Sequence, residues 1–170
     1  MLKPFVIHEP RTPSQAAEML DEYGWDATLY AGGTELLVVM KEGLVSYSHL
    51  INVKTIAELN SIQLVDDSST LRIGAGVTHH AIETSQVVAT HAPLLIEMEQ
   101  SLANVRVRTM GTLGGNLCFA EPHSDPATVC MGWDGVSFEL SSTDGTRQVA
   151  PDQFFIDLFM TARQSNEIMT

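Results

Sequence analysis

The sequence predicts an α+β protein with two lobes, a small parallel βαβ lobe over residues 1–55 and a larger mixed or antiparallel lobe over residues 56–170. Three observations support this. Strand and helix signals alternate through the first 55 residues, two hairpin signals follow, and two glycine-rich turns interrupt the chain at AGGTELL (31–37) and GTLGGN (111–116).

The elements are read in chain order. PFVIH (4–8) is a short strand. Thr12-Pro13-Ser14 opens a helix, with Thr12 or Ser14 as the N-cap, that runs through Ala16, Ala17, Met19 and Leu20 to Gly24. ATLYAGG (27–33) is a buried strand ending in two glycines. ELLVVMKEG (35–43) is a helix closed by Gly43, and SHLINV (48–53) is a further strand. This alternation is that of a small parallel sheet. SIQLVDDSSTLRIGAG (61–76) reads as a hairpin turned at Asp66-Asp67-Ser68-Ser69, and VSFELSSTDGTRQVAP (136–151) as a second turned at Asp144-Gly145. Between them, THHAIETS (78–85) starts a helix at Thr78 and HAPLLIEMEQSLA (91–103) forms a longer apolar one. PDQFFIDLFM (151–160) is a short aromatic-rich segment, and the apolar SNEIMT is expected to lead into another strand.

Composition narrows the function classes. With 170 residues, 44% hydrophobic and 18% charged, the chain has an ordinary globular balance. It has no run of roughly 18 apolar residues of the kind a membrane span needs. The N-terminus carries no apolar signal core, which points to the cytoplasm. A net charge of −12 with nine scattered Lys and Arg argues against nucleic acid or anionic membranes as partners. Cys118 and Cys130 form no CxxC, so neither a four-thiolate iron–sulfur cluster nor a structural zinc framework is expected, and reduced thiols fit better than a disulfide. His79 and His80 are adjacent and share no helix face, and no i, i+4 pair suggests a metal. The histidines are therefore expected to be ordinary. His123, Ser124 and Asp125 have the composition of a triad but lack a GxSxG elbow.

The glycine turns carry the chemistry. In AGGTELL a strand feeds two glycines, then Thr34 and a helix; successive N–H groups there can form an anion-binding nest, and Thr34 can cap the helix or bond a phosphate oxygen. The spacing is neither a Walker A loop nor GxGxxG, and each turn alone is also what a sharp bend requires. Two such turns in one acidic chain point to a diphosphate gripped from both sides. Asp125, between Pro122 and Pro126, suits sugar hydroxyls, or bonds its own loop.

AGGTELLVVMKEGL (31–44) together with VRTMGTLGGNLCFAEPHSDP (107–126) resembles the FAD-binding subunits of molybdenum hydroxylases. These include the medium subunit of carbon monoxide dehydrogenase, related aldehyde and N-heterocycle dehydrogenases, and the flavin domain of xanthine dehydrogenase. PFVIHEPRTPSQAAEML, DGTRQVAPDQFF and NEIM extend the resemblance over essentially the whole chain. It implies a two-lobed FAD-binding domain of the carbon monoxide dehydrogenase flavoprotein type. Ala31, Gly32, Gly33, Thr34 and Glu35 would hold the FAD pyrophosphate and neighbouring sugar. Thr112, Gly114, Gly115 and Asn116 would form a second phosphate loop, and Asp125 would bond ribityl or ribose hydroxyls. Ile168 or Met169 would lie beside flavin or adenine, and Leu36 and Phe119 complete the cofactor-binding set. Val107-Arg108-Thr109 departs from the family, which usually has Asn in the position of Thr109. Family members usually continue into a C-terminal flavoprotein domain, which these 170 residues are expected to lack.

The function implied by the resemblance is electron transfer. A molybdopterin-binding large subunit and a [2Fe-2S] small subunit would be partners, with NAD, oxygen or a quinone-type compound as acceptor. No side chain is required as acid or base, and no metal site is expected. A free-standing flavoenzyme of the same superfamily and a non-catalytic nucleotide-binding module are the alternatives.

Overall fold

The computed structural model describes residues 2–65, 67 and 70–170. Strands β1 (Val6–His8), β2 (Ala27–Tyr30) and β3 (His49–Asn52) form a parallel sheet in the order β1-β3-β2. Helix α1 (Pro13–Tyr23) connects β1 to β2, and α2 (Leu36–Lys41) connects β2 to β3. Thr12 is the N-cap of α1, its hydroxyl accepting from the Gln15 N–H at 3.2 Å, and Pro13 follows where a missing N–H costs nothing. Thr12→Ala is expected to remove about 1 kcal/mol of stability, read as a lower urea midpoint at unchanged slope.

The hairpin of β4 (Ile62–Val65) and β5 (Thr70–Ile73) pairs in register. Three residues of the expected turn, Asp66, Ser68 and Ser69, lie outside the described residues. The helix expected over 91–103 is α5 (Pro93–Ser101), and a further helix not read from the sequence, α4 (Gln86–His91), precedes it after α3 (His79–Glu83). The break falls at Ala92, whose ψ of 57° leaves the helical range, because the residue before a proline is driven from it. Thr78 caps α3 as expected, accepting from the Ala81 N–H.

The second glycine turn also differs from expectation. After α6 (Val105–Arg108), GTLGGN enters a helix, α7 (Leu113–Phe119), N-capped by Thr112. The proline-bracketed segment likewise opens a helix, α8 (Asp125–Met131), with Ser124 as its N-cap. Strands β6 (Phe138–Ser142) and β7 (Gly145–Val149) make the second hairpin. Helix α9 (Pro151–Phe154) and the short pair β8 (Phe155–Asp157) and β9 (Met160–Thr161) occupy the aromatic segment. The final strand β10 (Ile168–Met169) pairs antiparallel with β6.

Alternation along β10 ties the halves together. Ile168 packs into the cluster under the parallel sheet with Ala16, Leu20, Ile51 and Val53. Met169 packs into a second cluster with Leu117, Phe138, Leu140 and Phe154. Successive residues of a strand face opposite ways, so two residues serve two cores. The cleft lies at this junction.

Candidate functional site

One cleft of about 250 Å³ is lined by Ala31, Gly32, Gly33, Thr34, Glu35 and Leu36 on one wall. Thr112, Gly114, Gly115, Asn116 and Phe119 form a second wall, and Ile168 and Met169 its floor. All the expected site residues but one are therefore brought together. Asp125 is not among the lining residues; it is exposed in the first turn of α8. What holds that segment is Ser124, whose hydroxyl donates to Asn116 Oδ1 at 2.5 Å and accepts from the Ala127 N–H at 3.2 Å.

The β2–α2 turn has the geometry of an anion nest. Gly33 has φ +72°, a conformation that side chains rarely adopt. Among the described residues, the backbone N–H groups of Gly32, Gly33, Thr34 and Glu35 meet no protein acceptor, and α2 has no side-chain cap. Thr34 is therefore not the cap of α2, and its hydroxyl remains available at the cleft. Consecutive open N–H groups across a left-handed glycine make the concavity that oxyanions occupy.

The α7 turn is different. The Leu113 and Gly114 N–H groups donate to Val77 O at 3.0 Å and Ala75 O at 2.9 Å, and the Gly115 N–H donates to Thr112 Oγ1 at 3.2 Å. Its donors already serve the protein. Its glycines answer to packing: a Cβ on Gly114 would sit 2.4 Å from Ala75 Cβ. Gly32 obeys the same rule, with a Cβ position 2.1 Å from Met110 O. The two turns thus touch backbone to backbone, and the β2–α2 turn supplies the open donors.

Leu29, Val53, Leu59, Leu102 and Val107 add apolar walls suited to a planar ring system. Three titratable lining residues were absent from the sequence expectation. Arg163, whose Nη1 donates to Glu167 O at 2.7 Å, is held by a loop that no short motif marks. Cys118 lines the cleft with a thiol pushed up to about 11 by burial, against a smaller opposing effect of Arg163. His79 is the third, and its adjacency to His80 had suggested an ordinary residue. Cys118 and Cys130, both free and both raised to about 11, are expected to react with iodoacetamide at pH 7.5 more than tenfold slower than a free thiol, by mass spectrometry.

The loop bearing Arg163 is anchored by Glu167, which accepts from Arg147 Nε at 2.6 Å and Nη2 at 2.9 Å and from the Gln164 N–H at 2.7 Å. Burial pushes the Glu167 carboxyl up, but these donors outweigh it and the net shift is downward. A carboxylate lowered in the folded state stabilises above its unfolded value, near 4.3, and that stability is lost as pH falls through the folded value. Arg147→Gln should therefore lower the melting temperature at pH 7 and flatten its decline below about pH 4.5.

Two lobes around a turn with open N–H groups and an apolar cleft form an arrangement suited to a dinucleotide. The chain belongs to the family described as the FAD binding domain in molybdopterin dehydrogenase, which it matches over residues 3–170. It is 34% identical to a carbon monoxide dehydrogenase medium chain of Hydrogenophaga pseudoflava over 165 residues, 97% of this chain and 56% of the relative. It is 30% identical to a xanthine dehydrogenase FAD-binding subunit of Escherichia coli O157:H7, across 95% of this chain and 54% of that one. Among solved structures, carbon monoxide dehydrogenase from H. pseudoflava lacking the Mo-pyranopterin moiety superposes with a TM-score of 0.96 at 33% identity, covering 99% of this chain and 58% of that chain. Quinoline 2-oxidoreductase from Pseudomonas putida 86 gives 0.94 at 27% identity, with the same coverages. The chain spans a little over half the length of these relatives. FAD is the family's cofactor, and the open N–H series beside apolar walls fits it.

Among the described residues, no helix is long and apolar enough to cross a membrane, and no group of three or more His, Cys, Asp or Glu is placed to bind a metal ion.

Proposed function

We propose that this chain is the FAD-binding electron-transfer part of a cytoplasmic molybdenum-containing hydroxylase or dehydrogenase. The observation that carries the reading is the run of four N–H groups at Gly32–Glu35 that meet no acceptor among the described residues, closed against the Met110-Gly111 backbone. In it, the 31–35 turn holds the diphosphate, Thr112 and the glycines of α7 seat that turn by close packing, and Phe119, Ile168 and Met169 border the rings. Asn116 holds the start of α8 through Ser124, and Asp125 reaches the ligand's hydroxyls from the rim. The lobes divide near residue 55. The chain's own work is binding, orientation and exclusion of water. Bound FAD supplies the exchange between one-electron and two-electron transfer that links iron–sulfur clusters to NAD, oxygen or a quinone-type acceptor. A molybdopterin-binding large subunit and a [2Fe-2S] small subunit are the partners.

The test is a visible absorbance scan of the purified chain after incubation with FAD and desalting. Retained flavin bands that bleach with dithionite are expected. A colourless protein that retains only ADP would favour a nucleotide module instead. Copurification with a molybdenum subunit separates the proposal from a free-standing flavoenzyme.

A further inference from the structure

We propose that Arg163 is the cation that favours the reduced ring system in the cleft: it holds the two-electron-reduced, anionic form of the bound dinucleotide more tightly than the oxidised form. The proposal rests on the cleft being the FAD site.

Arg163 is the only lysine or arginine among the residues that line the cleft, and Glu35 the only carboxylate. The guanidinium is tethered without being neutralised. Its Nη1 donates to Glu167 O at 2.7 Å and to Gln164 O at 3.1 Å, both backbone carbonyls. Among the described residues Arg163 forms no ion pair, and its Nε and Nη2 meet no acceptor. The Glu167 carboxylate is taken by Arg147. A cation fixed in this way keeps both its charge and its spare donors for a ligand.

The anchoring contacts place Arg163 with the apolar residues of the cleft. Helix α7 runs from Leu113 to Phe119, a rise of about 10 Å from its Thr112 cap at roughly 1.5 Å per residue. Its start meets the β2–α2 turn, where a Cβ on Gly32 would sit 2.1 Å from Met110 O. Its end meets the segment that leads to Arg163. There the Phe159 N–H donates to Ala120 O at 2.9 Å, and the Phe119 and Phe159 rings stand edge to face with centroids 5.5 Å apart. Glu167, whose carbonyl holds the guanidinium, directly precedes Ile168 and Met169 of the floor, and the Arg163 charge is felt at Cys118. Phe119, Ile168 and Met169 are the residues read as bordering the rings, whereas the open N–H groups lie at the other end of α7.

Charge separates the two redox forms. The oxidised isoalloxazine is neutral, and two electrons with one proton leave it one unit negative, while Arg163 itself gains and loses nothing. A fixed cation attracts the anionic ring and acts only weakly on the neutral one, and that difference in affinity is a rise in reduction potential. The setting strengthens the effect. Burial pushes the Cys118 thiol up to about 11, so charges near it are poorly hydrated and weakly screened. Glu35 belongs to the β2–α2 turn and is exposed, which leaves Arg163 unopposed at its end of the cleft.

The experiment compares wild type, Arg163→Gln and Arg163→Lys, each loaded with FAD. They are reduced anaerobically with dithionite against a reference dye at pH 7.5, and flavin absorbance is read. Gln keeps an N–H for the Glu167 carbonyl but removes the charge, and Lys keeps the charge. Arg163→Gln should weaken binding of reduced FAD roughly tenfold relative to oxidised FAD, which lowers the midpoint potential by about 30 mV for a two-electron couple. Arg163→Lys should keep most of the wild-type potential, and ADP affinity, by titration calorimetry, should match in all the proteins. An unchanged potential in Arg163→Gln overturns the proposal. An equal fall in both variants overturns it in favour of a strut for the loop. A loss of ADP affinity or of oxidised FAD equal to that of reduced FAD overturns it by placing Arg163 at the diphosphate. If wild type binds neither FAD nor ADP, the reading of the cleft itself fails, and the proposal with it.

Discussion

Gly32→Ala should cost about 3 kcal/mol of stability and abolish retention of FAD. The added methyl would sit 2.1 Å from Met110 O, 2.7 Å from Gly111 Cα and 2.8 Å from Met110 C. All three are backbone atoms, so no side chain can rotate away. Relief requires the β2–α2 turn to part from the Met110-Gly111 backbone that leads into α7, and that contact closes the cleft. Gly132→Ala is the control: its nearest neighbours would lie at 3.6 and 3.9 Å, an ordinary contact. Urea unfolding of both variants beside wild type is the measurement. Equal midpoints for Gly32→Ala and wild type would mean that the turns are not in contact.

Phe154→Ala should cost about 3–5 kcal/mol, the largest effect expected of any single side chain here. Phe154 is fully buried, edge-on to Phe138 at 4.9 Å and to Phe155 at 5.1 Å between ring centroids. Truncation removes the ring's transfer free energy and leaves a cavity that three separate elements must collapse to fill. Because Met169 shares this cluster, the floor of the cleft should loosen as well. A calorimetric melt checks the first effect, and FAD affinity at a temperature where the variant is folded checks the second. A loss below about 1 kcal/mol would remove Phe154 from the core.

Much of the molecule was legible in local residues. The parallel lobe follows from alternating apolar runs separated by Thr12-Pro13, Gly24 and Gly32-Gly33, because caps and glycines act within a few residues of themselves. Helix α4 was not read from the sequence, although Pro93 marks the break that ends it. The α7 helix was hidden as well. Gly114 and Gly115 are poor helix formers, and only Thr112 capping and the close approach of Ala75 make a helix there.

The sequence by itself determined the order of elements in the parallel lobe, the family and the two glycine segments that flank the cofactor cleft, since each is written in adjacent residues. Tertiary structure decided which turn keeps its donors open: Val77 and Ala75 claim the Leu113 and Gly114 N–H groups of α7, while those of Gly32–Glu35 meet no acceptor among the described residues. It also brought His79 against Glu99, twenty residues away, and turned an unremarkable histidine toward the cleft. Hydrogen bonds between distant segments depend on how helices and strands pack, and no local pattern of residues encodes that choice.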